Sequence, residues 1–166
     1  MDKKPEDRPV QPQTIRHAAD LRPILLVEDS PNDLELALAA LERCQLANPI
    51  HVARDGVEAL DYLYARGPWD QRDGGDPAVV LLDLKLPRVD GLEVLERVKN
   101  DPLLRQVPIV MLTSSREERD LVRSYQLGVN AFVVKPVDFR AFLQAIQELG
   151  MFWAVLNQPP PRLAAR

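Results

Sequence analysis

Polar residues follow several short apolar runs of this sequence, and their side chains could together bind a cation and a phosphoryl group. Glu28 and Asp29 come after ILLV, Asp83 after VVLL, Thr113 after PIVML, and Lys135 after AFVV. A carboxylate at the end of an apolar run is costly to remove from water, so another interaction must offset that cost. We therefore treat these five positions as candidate functional residues.

The residue types in this set predict a particular chemistry. Three carboxylates held together repel one another and raise their own pKa values, so the cluster predicts a bound cation. Carboxylate oxygens with room left for water suit Mg²⁺ better than a softer metal. Such a site could support phosphoryl transfer to Asp83, because the metal and Lys135 would neutralise the phosphoryl oxygens and Thr113 would donate a hydrogen bond to one of them. Asp83 would be the nucleophile, since a carboxylate is already ionised at neutral pH.

These side chains can meet only if the apolar runs lie side by side as strands. The runs that predict strands are residues 24–27, 50–53, 79–82, 108–112 and 131–134. A segment with helical periodicity follows each of them: these segments lie around 34–41, at 57–65, around 92–98, at 115–127 and at 138–156. Apolar strands separated by helices indicate a parallel sheet covered on both faces, and such sheets bind ligands beyond the carboxyl ends of their strands.

Composition limits the class of protein. The chain has 166 residues, which fits one domain with tails, and it carries a net charge of -4 and one cysteine, Cys44. No apolar stretch approaches the ~20 residues that would span a bilayer, and the first residues have no apolar centre typical of a secretory signal. We therefore expect a cytoplasmic protein that binds neither nucleic acid nor membrane and whose partner is another protein.

The sequence divides into three parts. Residues 1–22 mix charge, Pro and Gln, which predicts a flexible N-terminal lead. Residues 23–150 hold all five predicted strands and form the predicted domain. Residues 151–166 are a C-terminal extension, which we expect to form an interface. The stretch 65–77, ARGPWDQRDGGDP, predicts a loop that is longer than most connections between a helix and a strand.

Each candidate residue taken alone has a purely structural interpretation as well. Ser30 to Asp33 could be only a helix start, with Ser30 as the N-cap and Asp33 closing a pair like a capping box, and the acids before it would then only complement the helix dipole. Asp83 could be a turn former and Lys135 a surface cation. Four unrelated caps would rarely fall on four neighbouring strand ends, however, so the set as a whole favours function.

Four motifs in a fixed order carry a more specific signal. VEDS at 27–30, LLDLKLPRVDG at 81–91, MLTSS at 111–115 and FVVKP at 132–136 resemble the receiver domain of bacterial two-component response regulators, over residues 23–150. This resemblance implies an α/β fold in which a doubly wound, five-stranded parallel sheet of order 2-1-3-4-5 is flanked by five helices. It also implies that a histidine kinase donates a phosphoryl group from its phosphohistidine.

The resemblance implies a role for each matching position. The implied metal ligands for Mg²⁺ are Glu28, Asp29, Asp83 and the backbone carbonyl of Lys85, with Asp29 the direct ligand of the acid pair. Asp83 would be the phosphorylation site, Lys135 would contact the phosphoryl group, and Thr113 with Phe132 would be the switch residues. The Lys135–Pro136 bond would be cis. Because Phe has no hydroxyl, we expect the ring of Phe132 to point inward before phosphorylation.

Two further features narrow the resemblance. The long loop after the second helix and the final segment FWAVLNQPPP, together with DLKLPRVDGLEVL, are similar to stand-alone response regulators that partner bacterial and cyanobacterial phytochromes. This implies a phytochrome-type sensor kinase as partner. It also implies a protein that is not an enzyme in the ordinary sense, because it would catalyse only its own phosphorylation and dephosphorylation.

Rival functions remain on the same residues. A flavin-binding module would need a phosphate loop after the first strand, where this chain has acids that would repel phosphate. An aspartyl-phosphate phosphohydrolase would need a second acid two residues after its nucleophile, where this chain has Lys85. The third alternative is a receiver-fold docking module that never takes phosphate.

The C-terminal extension carries an apolar stripe. Leu149, Phe152, Trp153 and Leu156 fall at helical spacing i, i+3, i+4 and i+7. The stripe could fold back on its own domain, with a bend at Gly150. Two large aromatics on an acidic monomer would instead form an apolar patch of the kind that marks interfaces, so we expect a homodimer held by these residues.

Overall fold

Five parallel strands form one sheet at the centre of the fold. The structure is a computed structural model, and it describes residues 21–72, 75–114, 116–136 and 138–158. The strands are β1 (Ile24–Val27), β2 (Ile50–Ala53), β3 (Val79–Leu82), β4 (Ile109–Thr113) and β5 (Ala131–Val134). Their order in the sheet is β2-β1-β3-β4-β5, which confirms the predicted topology. Each predicted strand is present, and only β4 is shifted, by one residue.

Helices connect the strands and cover both faces of the sheet. They are α1 (Pro31–Arg43), α2 (Gly56–Leu63), α3 (Gly91–Asn100), α4 (Glu118–Gln126) and α5 (Phe139–Met151). Alternate residues of β1 and β3 enter two separate cores, as a period of two requires. Leu25 and Val80 pack in the core with Leu60 and Leu95. Their neighbours Ile24 and Val79 pack in the opposite core, which contains Leu41, Phe142 and Ile146.

Polar N-caps start several of the helices that follow the strands. Asp90 accepts a hydrogen bond from the N–H of Glu93 at 2.9 Å, and Asp138 accepts one from the N–H of Ala141 at 2.9 Å. Such caps satisfy N–H groups that the first helical turn leaves without partners. Because the strands are parallel, the N-termini of the helices that follow them lie at the carboxyl edge of the sheet.

The first helix does not close the predicted capping box. Ser30 is the N-cap of α1, and its Oγ accepts from the N–H of Asp33 at 3.4 Å. The reciprocal bond is absent in this described turn, because the N–H of Ser30 donates to Glu28 Oε1 at 3.1 Å instead. The side chain of Asp33 is therefore available for another partner.

The chain remains helical through Gly150, so the bend considered as an alternative there does not occur. A Cβ at position 150 would lie 3.0 Å from Leu41 Cδ2 and 3.2 Å from Leu46 Cδ1. The glycine therefore favours the close approach of α1 and α5 and does not mark a change of direction. A π-helical turn, Phe152–Leu156, continues directly from α5.

The π-helical turn divides the predicted apolar stripe. Leu149 and Trp153 pack against the core between α1 and α5, as folding back on the same domain requires. Phe152 and Leu156 are 49% and 67% exposed. A π turn advances by more than four residues, so the α-helical spacing assumed from the sequence no longer keeps these four side chains on one face.

The long connection between α2 and β3 contains a 3₁₀ turn, Gly67–Trp69, and is tied to the end of α2. Arg72 Nε donates to the carbonyl of Tyr62 at 2.8 Å, and its guanidinium lies 4.7 Å from the Tyr62 ring centroid. Trp69 and His51 pack on the same ring, with centroid distances of 5.0 and 5.3 Å. The Gly and Pro content of residues 65–77 predicted a loop, but it did not predict that the loop is attached to α2.

Some expectations are corrected or lie outside the structure. No peptide bond is cis among the described residues, so the expectation of a cis Lys135–Pro136 bond is wrong; for a bond before proline the trans form is the commoner one. Residues 1–20 of the predicted lead and 159–166 of the C-terminal extension lie outside the described residues. In the described part of the chain, no helix is long and apolar enough to cross a membrane.

Candidate functional site

The carboxyl ends of the strands bring the predicted site residues together. Backbone hydrogen bonds fix this edge: the N–H of Asp83 donates to the carbonyl of Val27 at 3.0 Å, and the N–H of Lys135 donates to the carbonyl of Thr113 at 2.7 Å. Glu28, Asp83, Thr113 and Lys135 are all buried. The ends of adjacent strands therefore place carboxylates, a hydroxyl group and an ammonium group at the same edge of the sheet.

Lys135 is the centre of this cluster. Its Nζ lies 2.5 Å from Glu28 Oε2, 2.8 Å from Asp33 Oδ2 and 3.0 Å from Asp83 Oδ2. Burial alone would lower the pKa of Lys135, but the hydrogen bonds to Asp33 and Glu28 and the charges of Asp83 and Glu28 raise it above its ordinary value. The ammonium group therefore keeps its charge across the physiological range.

Glu28 shows the opposing cost of this arrangement. Burial raises the pKa of Glu28 above its ordinary value, and the hydrogen bond and charge of Lys135 lower it only in part. The charge of Asp83 acts in the same direction as burial. Buried acids that are not fully compensated by one lysine favour the addition of a second cation.

Asp33 also belongs to this cluster, although the sequence pattern predicted only a capping role for it. It is the third residue of α1, so its side chain is on the first helical turn next to the strand edge. Helical geometry was the available signal, because a helix that starts directly after Glu28 and Asp29 must present its first turn to the same edge. The capping interpretation of Asp33 concealed this role.

The acids can supply a metal site. Glu28, Asp29 and Asp83 each place one carboxylate oxygen within 4.8 Å of the others. Asp29 is exposed, so an ion there could keep several water ligands, as Mg²⁺ prefers. The donor set consists of hard oxygens only and fits a hard divalent cation. Lys85 lies in the loop beyond Asp83, and its N–H donates to Asp83 Oδ1 at 3.5 Å.

A glycine holds this loop close to Asp83. The N–H of Gly91 donates to the carbonyl of Leu84 at 2.8 Å. A Cβ at position 91 would lie only 2.2 Å from the backbone oxygen of Asp83, so no other residue fits without a shift of the backbone. Leu84 N–H also donates to Asp83 Oδ1 at 2.6 Å. The orientation of the Asp83 side chain is therefore set by its own loop.

Thr113 and Phe132 lie on the β4–β5 side of the site. Thr113 is fully buried at the end of β4. Phe132 is half-buried and packs against the core on the α3 side of the sheet. It also borders a surface cavity of about 550 Å³ whose other lining residues include Leu121, Val134 and Pro136. The ring thus contacts both the core and an open space into which it could move.

The fold and the site together define a receiver domain. The sequence profile of the response regulator receiver domain matches residues 24–147, which is most of the chain. The chain belongs to this family.

Three known proteins show how close the similarity is. The structure of the bacteriophytochrome response regulator AtBRR is 72% identical, with 83% of this chain and 99% of that chain covered and a TM-score of 0.67. The response regulator Rcp1 of Synechocystis sp. is 36% identical over 78% of this chain and 87% of its own length. Its Mn²⁺-bound crystal structure covers 84% of this chain and 99% of that chain, with 34% identity and a TM-score of 0.79.

The third is the phosphorylated cyanobacterial phytochrome response regulator RcpA. It is 35% identical over 85% of this chain and 99% of that chain, with a TM-score of 0.79. The receiver-domain identification made from the four motifs is therefore confirmed, as is the narrower resemblance to phytochrome-associated response regulators.

Proposed function

We propose that this protein accepts a phosphoryl group on Asp83 from the phosphohistidine of a sensor kinase and signals through protein contacts. The observation that carries the proposal is the buried Asp83 carboxylate at the end of the central strand, with Lys135 Nζ 3.0 Å from its Oδ2. An Asp83 oxygen attacks phosphorus, the bond between phosphorus and the histidine nitrogen breaks, and the imidazole leaves with the bonding electron pair. Attack of water on phosphorus later returns the carboxylate and free phosphate.

The chain's own residues prepare this transfer. Lys135 places a positive charge beside the Asp83 carboxylate. After the transfer this charge also stabilises the negatively charged phosphoryl oxygens. Thr113 donates a hydrogen bond to a phosphoryl oxygen, and Phe132 adjusts its packing when Thr113 moves. Glu28, Asp29, Asp83 and the carbonyl of Lys85 would hold Mg²⁺, which when bound would neutralise charge on the phosphoryl oxygens. The carboxylate oxygens of Glu28, Asp29 and Asp83, which lie within 4.8 Å of one another, and the Mn²⁺-bound form of Rcp1 support this assignment.

The kinase partner in this proposal is of the phytochrome type. The support is that AtBRR and RcpA are phytochrome response regulators in their own descriptions and are similar over more than four fifths of the chain. Such a kinase delivers its phosphoryl group in the cytoplasm. The protein then turns over only its own phosphoryl group, and its output passes through protein contacts rather than through nucleic acid.

A homodimer is the second part of the proposal. Met151, Phe152, Val155 and Leu156 are exposed apolar side chains on the last turns of the described chain, and we call them the tail patch. Leu149 and Trp153, which the sequence analysis also assigned to the interface, support the tail patch from the domain side. In a two-fold dimer the same patch of each copy would be buried, so apolar surface would be removed from water on both subunits.

Phosphoryl acceptance is tested by labelling with radioactive acetyl phosphate in the presence of Mg²⁺. We expect stable incorporation into the wild-type protein and none into Asp83→Asn, because the amide is not a nucleophile. Asp70→Asn changes an exposed acid and serves as the control, with labelling equal to wild type. Steady release of phosphate would instead indicate a phosphohydrolase, and no reaction would indicate a docking module. Equal labelling of the Asp83 variant would reject the assignment.

Dimer formation is tested by light scattering at several concentrations. We expect wild-type protein to be dimeric and Phe152→Ser/Leu156→Ser to be monomeric, because both changes lie in the tail patch and leave Trp153 in place. Leu103→Ser alters an exposed apolar residue elsewhere and is the control. A dimeric double variant would remove the tail patch from the interface.

A further inference from the structure

The loop from Asp83 to Gly91 carries the proposed acceptor and the Lys85 carbonyl, and its tip is strained. Arg88 has a φ of 65°, a left-handed conformation that brings the Cβ of a side chain too close to the following carbonyl oxygen. The next residue, Val89, donates its N–H to the carbonyl of Pro87 at 2.8 Å, which makes the turn tight. Strain of this kind persists only where surrounding contacts hold it.

The contacts that hold the tip come from the start of α2. Asp55 is the N-cap of α2, and its Oδ1 accepts from the N–H groups of Val57 at 2.8 Å and Glu58 at 2.9 Å. Its Oδ2 accepts from Arg88 Nε at 2.8 Å and also from Arg88 Nη2. One buried carboxylate thus caps a helix with one oxygen and binds the loop tip with the other.

Backbone contact reinforces this ion pair. A Cβ at Gly56 would lie 2.0 Å from the carbonyl oxygen of Val89, so the tip rests directly on the α2 backbone. At its other end the loop is closed by Gly91, which contacts Asp83 and Leu84. The loop is therefore held at two places: its base is closed beside the proposed acceptor, and its tip contacts the start of α2.

We infer that Asp55 and Arg88 are positioning residues that hold the Asp83–Gly91 loop in its metal-binding geometry before a divalent cation arrives. This inference rests on the proposed function. A loop that is already ordered loses less conformational entropy when the ion binds, so the ion pair raises metal affinity without touching the metal. An ion pair with so exposed an arginine contributes little to folding on its own.

The test measures Mn²⁺ binding to the full chain by electron paramagnetic resonance, together with the melting temperature of each metal-free variant. We expect Arg88→Ala to weaken Mn²⁺ binding about tenfold, which is the scale of residues that orient metal ligands. Arg88→Lys should recover part of the affinity. Arg97→Ala is the matched control, because Arg97 pairs with Glu93 on α3 and is 51% exposed, against 54% for Arg88. We expect it to leave Mn²⁺ binding unchanged.

Two more variants separate positioning from general stability. Arg88→Gly removes the ion pair but also relieves the left-handed strain, so we expect a melting temperature above that of Arg88→Ala with equally weakened Mn²⁺ binding. Asp55→Asn keeps the helix cap and removes the charge, and it should weaken binding without adding to the effect of Arg88→Ala. Affinity that follows melting temperature across the series, or equals that of Arg97→Ala, would overturn the inference. A wild-type protein that binds no Mn²⁺ would contradict the proposed function itself.

Discussion

Lys135 and Lys99 are two ammonium groups withdrawn from water at opposite edges of the same sheet, and their surroundings differ. Lys135 lies at the carboxyl edge among three carboxylates, those of Glu28, Asp33 and Asp83. Those hydrogen bonds and charges overcome burial and raise its pKa. The Lys135 cluster is therefore stabilised mainly by the attraction between its ammonium group and the carboxylates.

Lys99 lies at the amino edge, where neutral oxygens surround it. Its Nζ donates to the carbonyls of Val107 at 2.8 Å and Arg105 at 3.2 Å and to Asn130 Oδ1 at 3.0 Å. Burial lowers the pKa of Lys99 to about 8. The same side chain is thus a charged component of a site at one edge and a connector between loops at the other. The charge of the neighbouring groups, rather than burial, distinguishes the two roles.

The largest expected effect comes from removing the charge at the carboxyl edge. Lys135→Met should lower the rate of labelling by acetyl phosphate by about 100-fold, because a cation that stabilises charge in the transition state is lost. The same change should strengthen Mg²⁺ binding, since the ion no longer competes with an ammonium for the same acids. Both are measured on purified protein, by labelling and by calorimetric titration. Lys99→Met is the control and should alter neither quantity.

The second expected effect concerns the pH dependence of stability at the amino edge. Lys99 has a pKa of about 8 in the folded chain, whereas a lysine in the unfolded chain has a pKa of about 10.4. Between these two pKa values the unfolded state binds more protons than the folded state, so the free energy of unfolding rises with pH. The rise from pH 7 to pH 9 is about 1 kcal/mol. Urea unfolding at pH 7 and pH 9 of wild type and Lys99→Met measures this rise as a difference between the two proteins. An identical pH response in both would contradict the lowered pKa.

The smallest expected effect would convert one lysine environment toward the other. Asn130→Asp places a carboxylate where Lys99 now contacts an amide oxygen, and it can still accept the bond from Ile109 N–H that is now 2.8 Å long. We expect the pKa of Lys99 to rise and the pH response of stability to shrink, with a change in stability at pH 7 below about 1 kcal/mol. Nuclear magnetic resonance titration of the lysine side chain measures the pKa directly. A pKa that stays near 8 would show that charge does not decide the difference between the two edges.

The sequence contained enough to predict the strands and most of the site. The apolar runs before Glu28 and Asp83 predicted β1 and β3 residue for residue, because strands buried on both faces need continuous apolar sequence. The order of the strands came from the family resemblance, since local patterns do not specify which strands pair. The direct metal, acceptor and switch roles remain proposals.

What the sequence did not reveal depends on contacts between distant segments. The position of Asp33 in the sequence fitted a local capping pattern, yet its side chain binds a lysine 102 residues away. Asp55 and Arg88 are 33 residues apart, and no local pattern joins them. The π-helical turn after Met151 changed which tail residues face the domain, and a stripe counted at α-helical spacing cannot register it.

Helix α1 connects the Lys135 cluster with the packing around Gly150 in α5. This helix has 13 residues and is about 20 Å long. Asp33 in its first turn binds Lys135, and the side chain of Leu41 near its other end lies close to Gly150. Packed helices move largely as rigid bodies, so we expect a displacement of Lys135 that tilts the first turn of α1 to shift its far end as well. The tail patch, which begins at the next residue, Met151, would move with it.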